Sequence, residues 1–446
     1  MAEIAPLTPL CYDLRAPLER LVAPPYDVIS PEGRAELAAQ DPNNVVHLIL
    51  PEGEGDTRYA RAAAQLADMR AGGVLARDDE PGYFRYDQTF APPGAPAGAP
   101  TLTRTGFLAA VRLSPFSERV VLPHERTLSG PKVDRLKLFR ATRTNLSPGF
   151  MLYRDPARAL DEHLATARAL AEFTTADGVV HRLSKVTAPA ALRAITRQVA
   201  QSSLLIADGH HRYETAVAYA AEIASAHPEA PARAEFRYFM TFLANGDDPN
   251  LVVFPTHRHA HDLSGFSFDA LLAGAADGAR GFFDVTVLGS GATAESLLER
   301  LADAGKRGPC FVACATDGRA ALLSLRPTAD LASHPTLGQQ VEPLRRSDVA
   351  LLHGAVLEDL CGITKEAQAA KTNLYYVQDA GQALAELRGG RGDVLFLMNA
   401  TPTRVVREIA EAGEVMPQKS TFFYPKVLTG LAIHTLEPGR QVAEVS

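Results

Sequence analysis

Apolar residues recur with two different spacings along this chain, and the two spacings predict both helices and strands. From Tyr59 to Met69 an apolar residue returns every three or four positions, which is the spacing of a helix with one buried face. Runs of apolar residues at 44–51, 83–90 and 103–113 predict strands, because strands bury continuous or alternating positions. The pattern therefore predicts a mixed α/β (α+β) fold.

The most informative local pattern is LLIADGHHRYETA, residues 204–216. Its apolar start predicts the end of a buried strand, and Tyr213 begins the apolar face of a helix that continues to Ala224. We interpret Asp208 as the N-cap of this helix and Gly209 as the residue that permits a tight turn. The first helical turn then holds His210, His211 and Arg212.

This first turn has the properties of an anion site. Its free N–H groups and the positive end of the helix dipole attract phosphate, and Arg212 adds a fork of donors. A capped corner with surface histidines is one alternative. A metal site on Asp208, His210 and His211 is another, but adjacent helical residues point about 100° apart, which hinders two imidazoles from sharing one ion. We therefore interpret the turn as a phosphate site.

A second polar stretch covers residues 120–153. Gly130-Pro131 predicts a helix that starts near Lys132, with its buried side formed by Val133, Leu136, Leu138 and Phe139. Upstream, His124 and Glu125 follow a proline at the end of an apolar run, and a carboxylate there is a candidate general base. Lys132 and Arg135 are candidate phosphate ligands, and plain surface charge is the alternative.

The second half of the chain repeats the mixed pattern. Residues 235–261 predict two strands joined by a tight turn at 245–248. His257, Arg258, His259 and His261 follow the second strand, and we expect the His257-Arg258 pair to line the same cleft as the turn at 208–212. A dinuclear metal site built from these histidines and those of that turn is the alternative. Further on, helices are predicted from Ser347 and Ala380, with Thr403 capping another that Gly413 ends. We expect three regions: an N-terminal α/β segment (1–100) with an exposed Pro/Gly loop at 91–100, a core (101–262) and a C-terminal α/β domain (263–446).

Composition narrows the class of protein. The 446 residues are 46% hydrophobic and 22% charged, with a net charge of −7, which is ordinary for a globular protein and argues against a nucleic-acid surface. We find no signal peptide or membrane-length apolar run, so we expect a cytoplasmic protein without a membrane partner. The four cysteines are too scattered for a disulfide framework, and we expect reduced thiols.

Four motifs carry a resemblance to a known family. They are APPYDVIS (23–30), HERTLSGPK (124–132), ATRTNLSPGF (141–150) and ADGHHRYETA (207–216). Together they resemble a widespread bacterial and archaeal family of soluble proteins of unknown function, over essentially the whole chain.

The chain also resembles, more distantly, the archaeal ADP-dependent free-serine kinases of the ParB/sulfiredoxin-like superfamily. Three motifs of that enzyme occur here in the same order: PHE at 123–125, DGHHR at 208–212 and a C-terminal block, GEVMPQKST, at 413–421. This chain is longer, has an extra N-terminal segment and inserts Gln418 in the last block. The resemblance implies a ParB/sulfiredoxin-like core with a second C-terminal α/β domain.

The resemblance also implies a function: nucleotide-dependent transfer of a phosphoryl group to a small hydroxyl-bearing metabolite, with free L-serine as the favoured acceptor. Glu125 becomes the general base and Asp208 a second catalytic residue, which would anchor Mg²⁺ or the acceptor hydroxyl. ATP or ADP is the expected donor. Its phosphates would be held by Gly209, His210, His211, Arg212, Lys132 and Arg135, and the acceptor by His124, Lys419, Ser420 and Thr421. For the loop at 419–421 the alternatives are contact with the distal phosphates and a plain strand entry with an exposed lysine.

Two other functions remain open from the sequence. One is a non-catalytic, nucleotide-responsive regulatory protein, because ParB-like proteins use related folds to bind nucleotide and partners. The other is a metal-dependent hydrolase. The absence of a G-x-x-x-x-G-K-[ST] motif argues against a P-loop fold. We expect a nucleotide and a small molecule as partners, and the oligomeric state stays open.

Overall fold

The computed structural model describes residues 1–92, 98–125, 127, 129–277 and 281–445. The chain divides into two compact units. Unit 1 comprises Met1–Pro123, Thr127–Val252 and Pro425–Ser446, and unit 2 comprises His124–Arg126 and Val253–Tyr424. Both units contain helices and sheets, so the predicted mixed α/β class is confirmed. The three regions expected from the sequence stay predictions.

Strands and helices are numbered here in chain order. The strands are β1 (Ile4–Ala5), β2 (Leu10–Tyr12), β3 (Leu75–Arg77), β4 (Tyr83–Phe90), β5 (Leu102–Arg112), β6 (Val121–Leu122), β7 (Thr144–Asn145), β8 (Gly149–Tyr153), β9 (Arg168–Thr174), β10 (Val180–Val186), β11 (Leu204–Asp208), β12 (Tyr238–Asn245), β13 (Val252–Phe254), β14 (His257–Ala260), β15 (Phe283–Ser290), β16 (Cys310–Ala315), β17 (Arg319–Leu325), β18 (Leu374–Val377), β19 (Val394–Met398), β20 (Phe422–Tyr424) and β21 (His434–Thr435). The α-helices are α1 (Pro31–Gln40), α2 (Val46–Ile49), α3 (Thr57–Ala71), α4 (Ser129–Thr142), α5 (Asp161–Leu164), α6 (Pro189–Val199), α7 (His210–Ala226), α8 (Phe268–Ala276), α9 (Ala294–Gly305), α10 (Glu342–Arg345), α11 (Asp348–Leu351), α12 (Lys365–Ala370), α13 (Ala380–Arg388) and α14 (Thr403–Glu411).

Unit 1 is organised around one large mixed sheet. Among the described residues its strand order is β6-β11-β8-β12-β5-β4-β10-β9, and β1 pairs with β5. The central strand β12 runs antiparallel to β5 and parallel to β8, and all of its residues are buried. Helix α7 follows β11 directly and packs its buried residues Tyr213, Ala216 and Tyr219 into the core of this unit.

Unit 2 contains a second sheet, with the strand order β15-β17-β16-β19-β14-β18. Its strands pair antiparallel. Leucines of α9 and α13 cover one face and form a core with β16 and β19. After α11 the chain forms a π-helix over Leu352–Glu358, a rare helix type that is frequent at functional sites.

Several predicted elements are confirmed. The apolar run at 83–90 is β4, the helix predicted around Tyr59 is α3, and Ser347 caps α11 by accepting the N–H of Ala350. The four cysteines are free thiols, and burial raises the pKa of Cys310 and Cys314 to about 12.

Two strand predictions are wrong. Residues 44–51 contain the short helix α2, because Oδ1 of Asn44 accepts the backbone N–H of Val46 at 2.8 Å and starts a helical turn. A short apolar run alone does not distinguish a strand from a buried helix.

The strands β12 and β13 do not form the predicted hairpin. Both edges of β12 are already paired with β5 and β8, and β13 pairs with β20.

Smaller details of the helices also differ from the predictions. Val133 of α4 is 57% exposed, whereas Leu138 and Phe139 are buried. Thr403 is the first residue of α14 and not its cap, since Pro402 stands at the N-cap.

The predicted Pro/Gly loop at 91–100 lies partly outside the described residues. Over the described part of the chain, no helix is long and apolar enough to cross a membrane.

Candidate functional site

The turn between β11 and α7 depends on its glycine. Gly209 has a φ of 93°, a conformation that residues with a side chain rarely adopt. A Cβ at this position would also lie 3.0 Å from Cζ of Arg212. The turn places His210, His211 and Arg212 in the first turn of α7, as the sequence predicts.

Asp208 is the last residue of β11 and not the N-cap of α7, which is a correction to the sequence analysis. The reason is electrostatic, because the carboxylate is bound by two cationic side chains and not by backbone N–H groups of the helix. Its Oδ1 accepts a hydrogen bond from Nζ of Lys426 at 2.9 Å, and its Oδ2 accepts one from Nη2 of Arg212. Burial alone would raise the pKa of Asp208, but Lys426 and Arg212 outweigh it and hold that pKa well below its ordinary value.

Arg212 is itself buried, with 5% exposure. Its second terminal nitrogen donates to the carbonyl of Pro148. The guanidinium thus joins the turn to the start of β8 and fixes the orientation of Asp208. A direct contact of Arg212 with phosphate stays a prediction.

His210 and His211 differ in burial. His210 is 6% exposed and adds to the positive field that lowers the pKa of Asp208. His211 is partly exposed, and its backbone carbonyl accepts the hydroxyl of Thr215. Both side chains lie at the N-terminal end of a 17-residue helix, where an anion is favoured.

Arg104 of β5 is a charged residue that the sequence analysis missed. It is 1% exposed, its Nη2 donates to the Pro425 carbonyl at 2.6 Å, and its guanidinium lies over the rings of Phe150 and Phe242. Among the described residues its Nε and Nη1 have no hydrogen-bond partner. Burial lowers the pKa of Arg104 to about 10, and Asp208 acts against this effect. The only signal in the sequence is an arginine inside a predicted strand.

Lys132 and Arg135 lie on α4 and are held by neighbouring residues. Nζ of Lys132 donates to Oε2 of Glu214 at 2.7 Å. Arg135 donates to the Ile49 carbonyl at 2.7 Å and stacks on the ring of Tyr26, 4.2 Å from its centroid. These partners occupy both cations, so their proposed phosphate contacts stay predictions.

Unit 2 contains the other predicted residues. Glu125 is 19% exposed at its side chain, and its Oε1 accepts the backbone N–H of Ser420 at 3.0 Å. Within the described ranges, no lysine or arginine nitrogen lies within 4.0 Å of its carboxylate. His124 is fully buried, and its Nε2 lies 2.8 Å from Oγ1 of Thr421.

The segment around Lys419 has an unusual backbone. Lys419 has a φ of 58°, in the left-handed region that non-glycine residues seldom occupy, and this turn directs the next N–H, that of Ser420, toward Glu125. The hydroxyl of Ser420 donates to the Pro417 carbonyl at 2.5 Å. The C-terminal motif therefore serves, within unit 2, to hold the general-base candidate.

Among the residues described, no group of three or more His, Cys, Asp or Glu side chains is placed to hold a metal ion. His257 accepts the backbone N–H of Met398 at 3.1 Å, and Nε2 of His259 lies 2.8 Å from the Ala383 carbonyl. These two histidines are thus bonded to the backbone of unit 2.

The predicted site residues thus fall into two clusters, each described within its own unit. Unit 1 brings together Asp208, Gly209, His210, His211 and Arg212, with Lys132 and Arg135 on α4. Unit 2 brings together His124, Glu125, Lys419, Ser420 and Thr421. The cations that the sequence analysis missed are Arg104 and Lys426 in unit 1.

Comparison with known families identifies the chain. The family model described as "Protein of unknown function (DUF1015)" matches residues 4–350, so the chain belongs to this family, and the resemblance drawn from the motifs is confirmed. A search of curated proteins finds no match.

Three kinds of solved structure are similar at low identity. A conserved hypothetical protein from Pyrococcus furiosus is 14% identical, with a TM-score of 0.33, over 71% of this chain and 90% of that one. A free serine kinase in complex with AMP is 12% identical, with a TM-score of 0.34, over 71% and 86%, and a variant of it is in complex with ADP. SbnI from Staphylococcus aureus, with a C-terminal truncation, is 10% identical, with a TM-score of 0.30, over 72% and 85%.

Proposed function

We propose that this member of the DUF1015 family is a nucleotide-dependent phosphotransferase that acts on a small hydroxyl-bearing metabolite, with free L-serine as the favoured acceptor. The observation that carries the proposal is the excess of cationic groups around Asp208. Lys426 and Arg212 bind its two oxygens, and Arg104 lies within electrostatic range with two N–H-bearing nitrogens that have no partner in the described part of the chain.

The positive charges of Lys426, Arg212 and Arg104 exceed the single negative charge of Asp208. A buried guanidinium with unmade hydrogen bonds is costly, and an anion that accepts those bonds offsets the cost. The phosphates of a nucleotide suit this need, because a helix N-terminus and arginine forks both bind phosphate oxygens. We therefore assign the β11–α7 turn to the donor nucleotide.

Glu125 is the proposed general base. The motif PHE carries this role in the kinases that the chain resembles, and the local geometry supports it. Oε1 is oriented by the N–H of Ser420, and among the described residues no lysine or arginine nitrogen lies within 4.0 Å of the carboxylate. An oriented carboxylate within hydrogen-bond reach of a hydroxyl can take its proton.

The residues near Asp208 do not fit a protein-built Mg²⁺ site. Both carboxylate oxygens are taken by Lys426 and Arg212, and the described residues contain no cluster of metal ligands. Mg²⁺ commonly binds through one or two carboxylates and the phosphates of the nucleotide. A requirement of the reaction for Mg²⁺ therefore stays a prediction of the resemblance.

A direct assay tests the proposal. The full chain is incubated with ATP or ADP, Mg²⁺ and a panel of hydroxyl-bearing metabolites that includes L-serine, and phosphorylated products are followed by ³¹P NMR. We expect O-phosphoserine to form with wild type and to be lost in Glu125→Gln. Thermal shifts with each nucleotide provide a second readout, because a ligand that binds only the folded state raises its melting temperature.

The possible results separate the candidate functions. Nucleotide binding without any product, in wild type and in Glu125→Gln alike, would identify a nucleotide-responsive regulatory protein and refute the kinase proposal. Hydrolysis of a substrate that depends on Zn²⁺ or Mn²⁺ retained through dialysis would identify a hydrolase. Product formation that Glu125→Gln leaves unchanged would remove Glu125 from the role of general base.

A further inference from the structure

Unit 2 contains a buried arginine on β14. Arg258 is 1% exposed. Its Nη1 donates to the Thr256 carbonyl, and its Nη2 lies 3.4 Å from the Lys419 carbonyl. Among the described residues its Nε has no hydrogen-bond partner, and no carboxylate lies within 4.0 Å of the guanidinium. A buried charge without a counter-ion is strongly unfavourable.

A second cation lies close to the same aromatic ring. Cζ of Arg258 is 5.6 Å from the centroid of Tyr376, and Nζ of Lys371 is 5.9 Å from it. Lys371 has a φ of 60°, so its backbone is held in the left-handed region. Burial and the positive charge of Lys419 both lower the pKa of Lys371. Two cations therefore lie near one ring, with Lys419 in electrostatic range of one of them, and their mutual repulsion favours an anion between them.

The π-helix adds a further unsatisfied group. His353 is 7% exposed, its Nδ1 lies 2.7 Å from Oε1 of Gln368, and its Nε2 has no partner within the described residues. Arg258 acts on His353 electrostatically. Burial and the charge of Arg258 lower the pKa of His353 to about 3, so the ring is neutral. Since its Nδ1 donates to Gln368, its Nε2 is an acceptor, which can pair with a donor group of a ligand and not with its anion.

The negative charges near Arg258 do not balance these cations. The carboxylates that act on Arg258 are those of Glu125 and Asp348. Burial raises the pKa of Asp348 to about 7, so Asp348 is only partly ionised at neutral pH. Arg258, Lys371 and Lys419 are three cations, and the two carboxylates supply at most two negative charges.

We infer that unit 2 holds an oxyanion-binding site centred on Arg258, and that this site takes the carboxylate of a small acid. The identification of this acid as the hydroxyl-bearing acceptor rests on the proposed function. The position of Glu125 agrees with it, since a base must lie near the hydroxyl of the molecule that the site holds.

The chemistry favours a carboxylate over a phosphate. An arginine fork matches the two oxygens of a carboxylate with parallel hydrogen bonds. A dianionic phosphate would place two charges within range of Glu125, whereas a carboxylate places one.

Titration of the full chain tests the inference. Isothermal calorimetry is carried out with L-serine, with glycerate, with ethanolamine and with inorganic phosphate. We expect L-serine and glycerate to bind, and ethanolamine, which lacks a carboxylate, to fail. Arg258→Met should weaken the binding of both acids by about 10- to 100-fold, because a charge-assisted fork is lost.

Further variants keep the inference testable. Arg258→Met can fail to fold, and Lys371→Met replaces an exposed residue, so it should leave the fold intact and weaken acid binding by about 3- to 10-fold. Arg258→Lys retains the charge but not the fork and should recover only part of the affinity. The affinity for ADP, measured in parallel, should not change in any of these variants.

The inference and the proposed function fail in different ways. Binding of phosphate but of neither acid would overturn the inference, as would unchanged acid binding in a folded Arg258→Met. Phosphorylation of serine with an unaltered KM in that variant would overturn the inference and leave the proposed function in place. Acid binding that depends on Arg258, without any phosphorylated product, would support the site and refute the kinase proposal.

Discussion

Two buried arginines, one in each unit, allow a direct comparison between the two clusters. Arg104 in unit 1 and Arg258 in unit 2 are each 1% exposed, and each lies over aromatic rings. Burial lowers the pKa of each to about 10. The carboxylates beside them differ. Asp208 is bound by two cations, whereas Glu125 accepts one backbone N–H from the described residues.

This difference separates two roles for a carboxylate. The cations on Asp208 lower its pKa, so the group stays ionised and fixes the positions of Lys426 and Arg212. Glu125 has an orienting donor, and in the described part of unit 2 no lysine or arginine nitrogen lies within 4.0 Å of its carboxylate, while Arg258 and Lys371 interact with it from farther away. We therefore expect Asp208 to support the structure of its cluster, and Glu125 to accept a proton. The predictions below test this division, beginning with the largest effect.

Replacement of Glu125 by glutamine should have the largest effect on activity. The amide keeps the size of the side chain and can still accept the N–H of Ser420, but it cannot take a proton. We expect the rate of serine phosphorylation to fall by about 100- to 10,000-fold. Steady-state kinetics would measure the loss, and calorimetry with ADP should show an unchanged affinity. An equal fall in nucleotide affinity would contradict the division of roles.

Replacement of Asp208 by asparagine should have the largest effect on stability. The change leaves Arg212 and Lys426 without their shared counter-ion, and removal of one partner from a buried pair is strongly destabilising. We expect the free energy of unfolding to fall by about 3 kcal/mol. Urea denaturation would measure this fall, with Glu125→Gln as the matched control at less than about 1 kcal/mol. Similar losses in both variants would show that the two carboxylates are not different.

Asp348 should make unit 2 sensitive to pH. Burial raises its pKa to about 7, so the folded protein retains a proton that the unfolded chain releases near pH 4. Between these values the unfolded state binds fewer protons, and the free energy of unfolding therefore falls as pH rises, with no further loss above about pH 7. The total loss is on the order of 2–4 kcal/mol.

The variant Asp348→Asn checks this pH dependence. Its amide oxygen can still accept the N–H of Cys310, which Asp348 accepts at 3.1 Å, but it does not titrate. Relative to wild type the variant should gain stability as pH rises from about 4 to about 7. Parallel stability curves for the two proteins over this range would contradict the prediction.

The parts of the site that the sequence could predict are the local ones. The first turn of α7 follows from a strand, a glycine and a helical period within thirteen consecutive residues, and the structure has this turn where the pattern places it. The cap at Ser347 is equally local. Such features depend on neighbours in the chain, so one sequence contains the information that specifies them.

The remaining parts depend on residues that are far apart in the chain. Lys426 reaches Asp208 across 218 positions, and Arg104 reaches the Pro425 carbonyl across 321. No spacing rule connects such residues. The predicted hairpin at 245–248 failed for the same reason, since the partners of β12 are β5 and β8. A charged residue inside a predicted strand, such as Arg104, is the one local signal of these contacts.

The smallest predicted effect concerns the orientation of Glu125. His124 lies 2.8 Å from Oγ1 of Thr421, and the neighbouring Ser420 holds the carboxylate. Thr421→Val removes this hydrogen bond, so unfolding should become easier by about 1 kcal/mol. The looser segment should also slow phosphorylation by a few-fold without a change in ADP affinity. Thr421→Ser retains the hydroxyl and should behave as wild type. If the valine and serine variants were equally active, the orientation of Glu125 would not depend on this contact, and the Ser420 N–H alone would account for the difference between the two carboxylates.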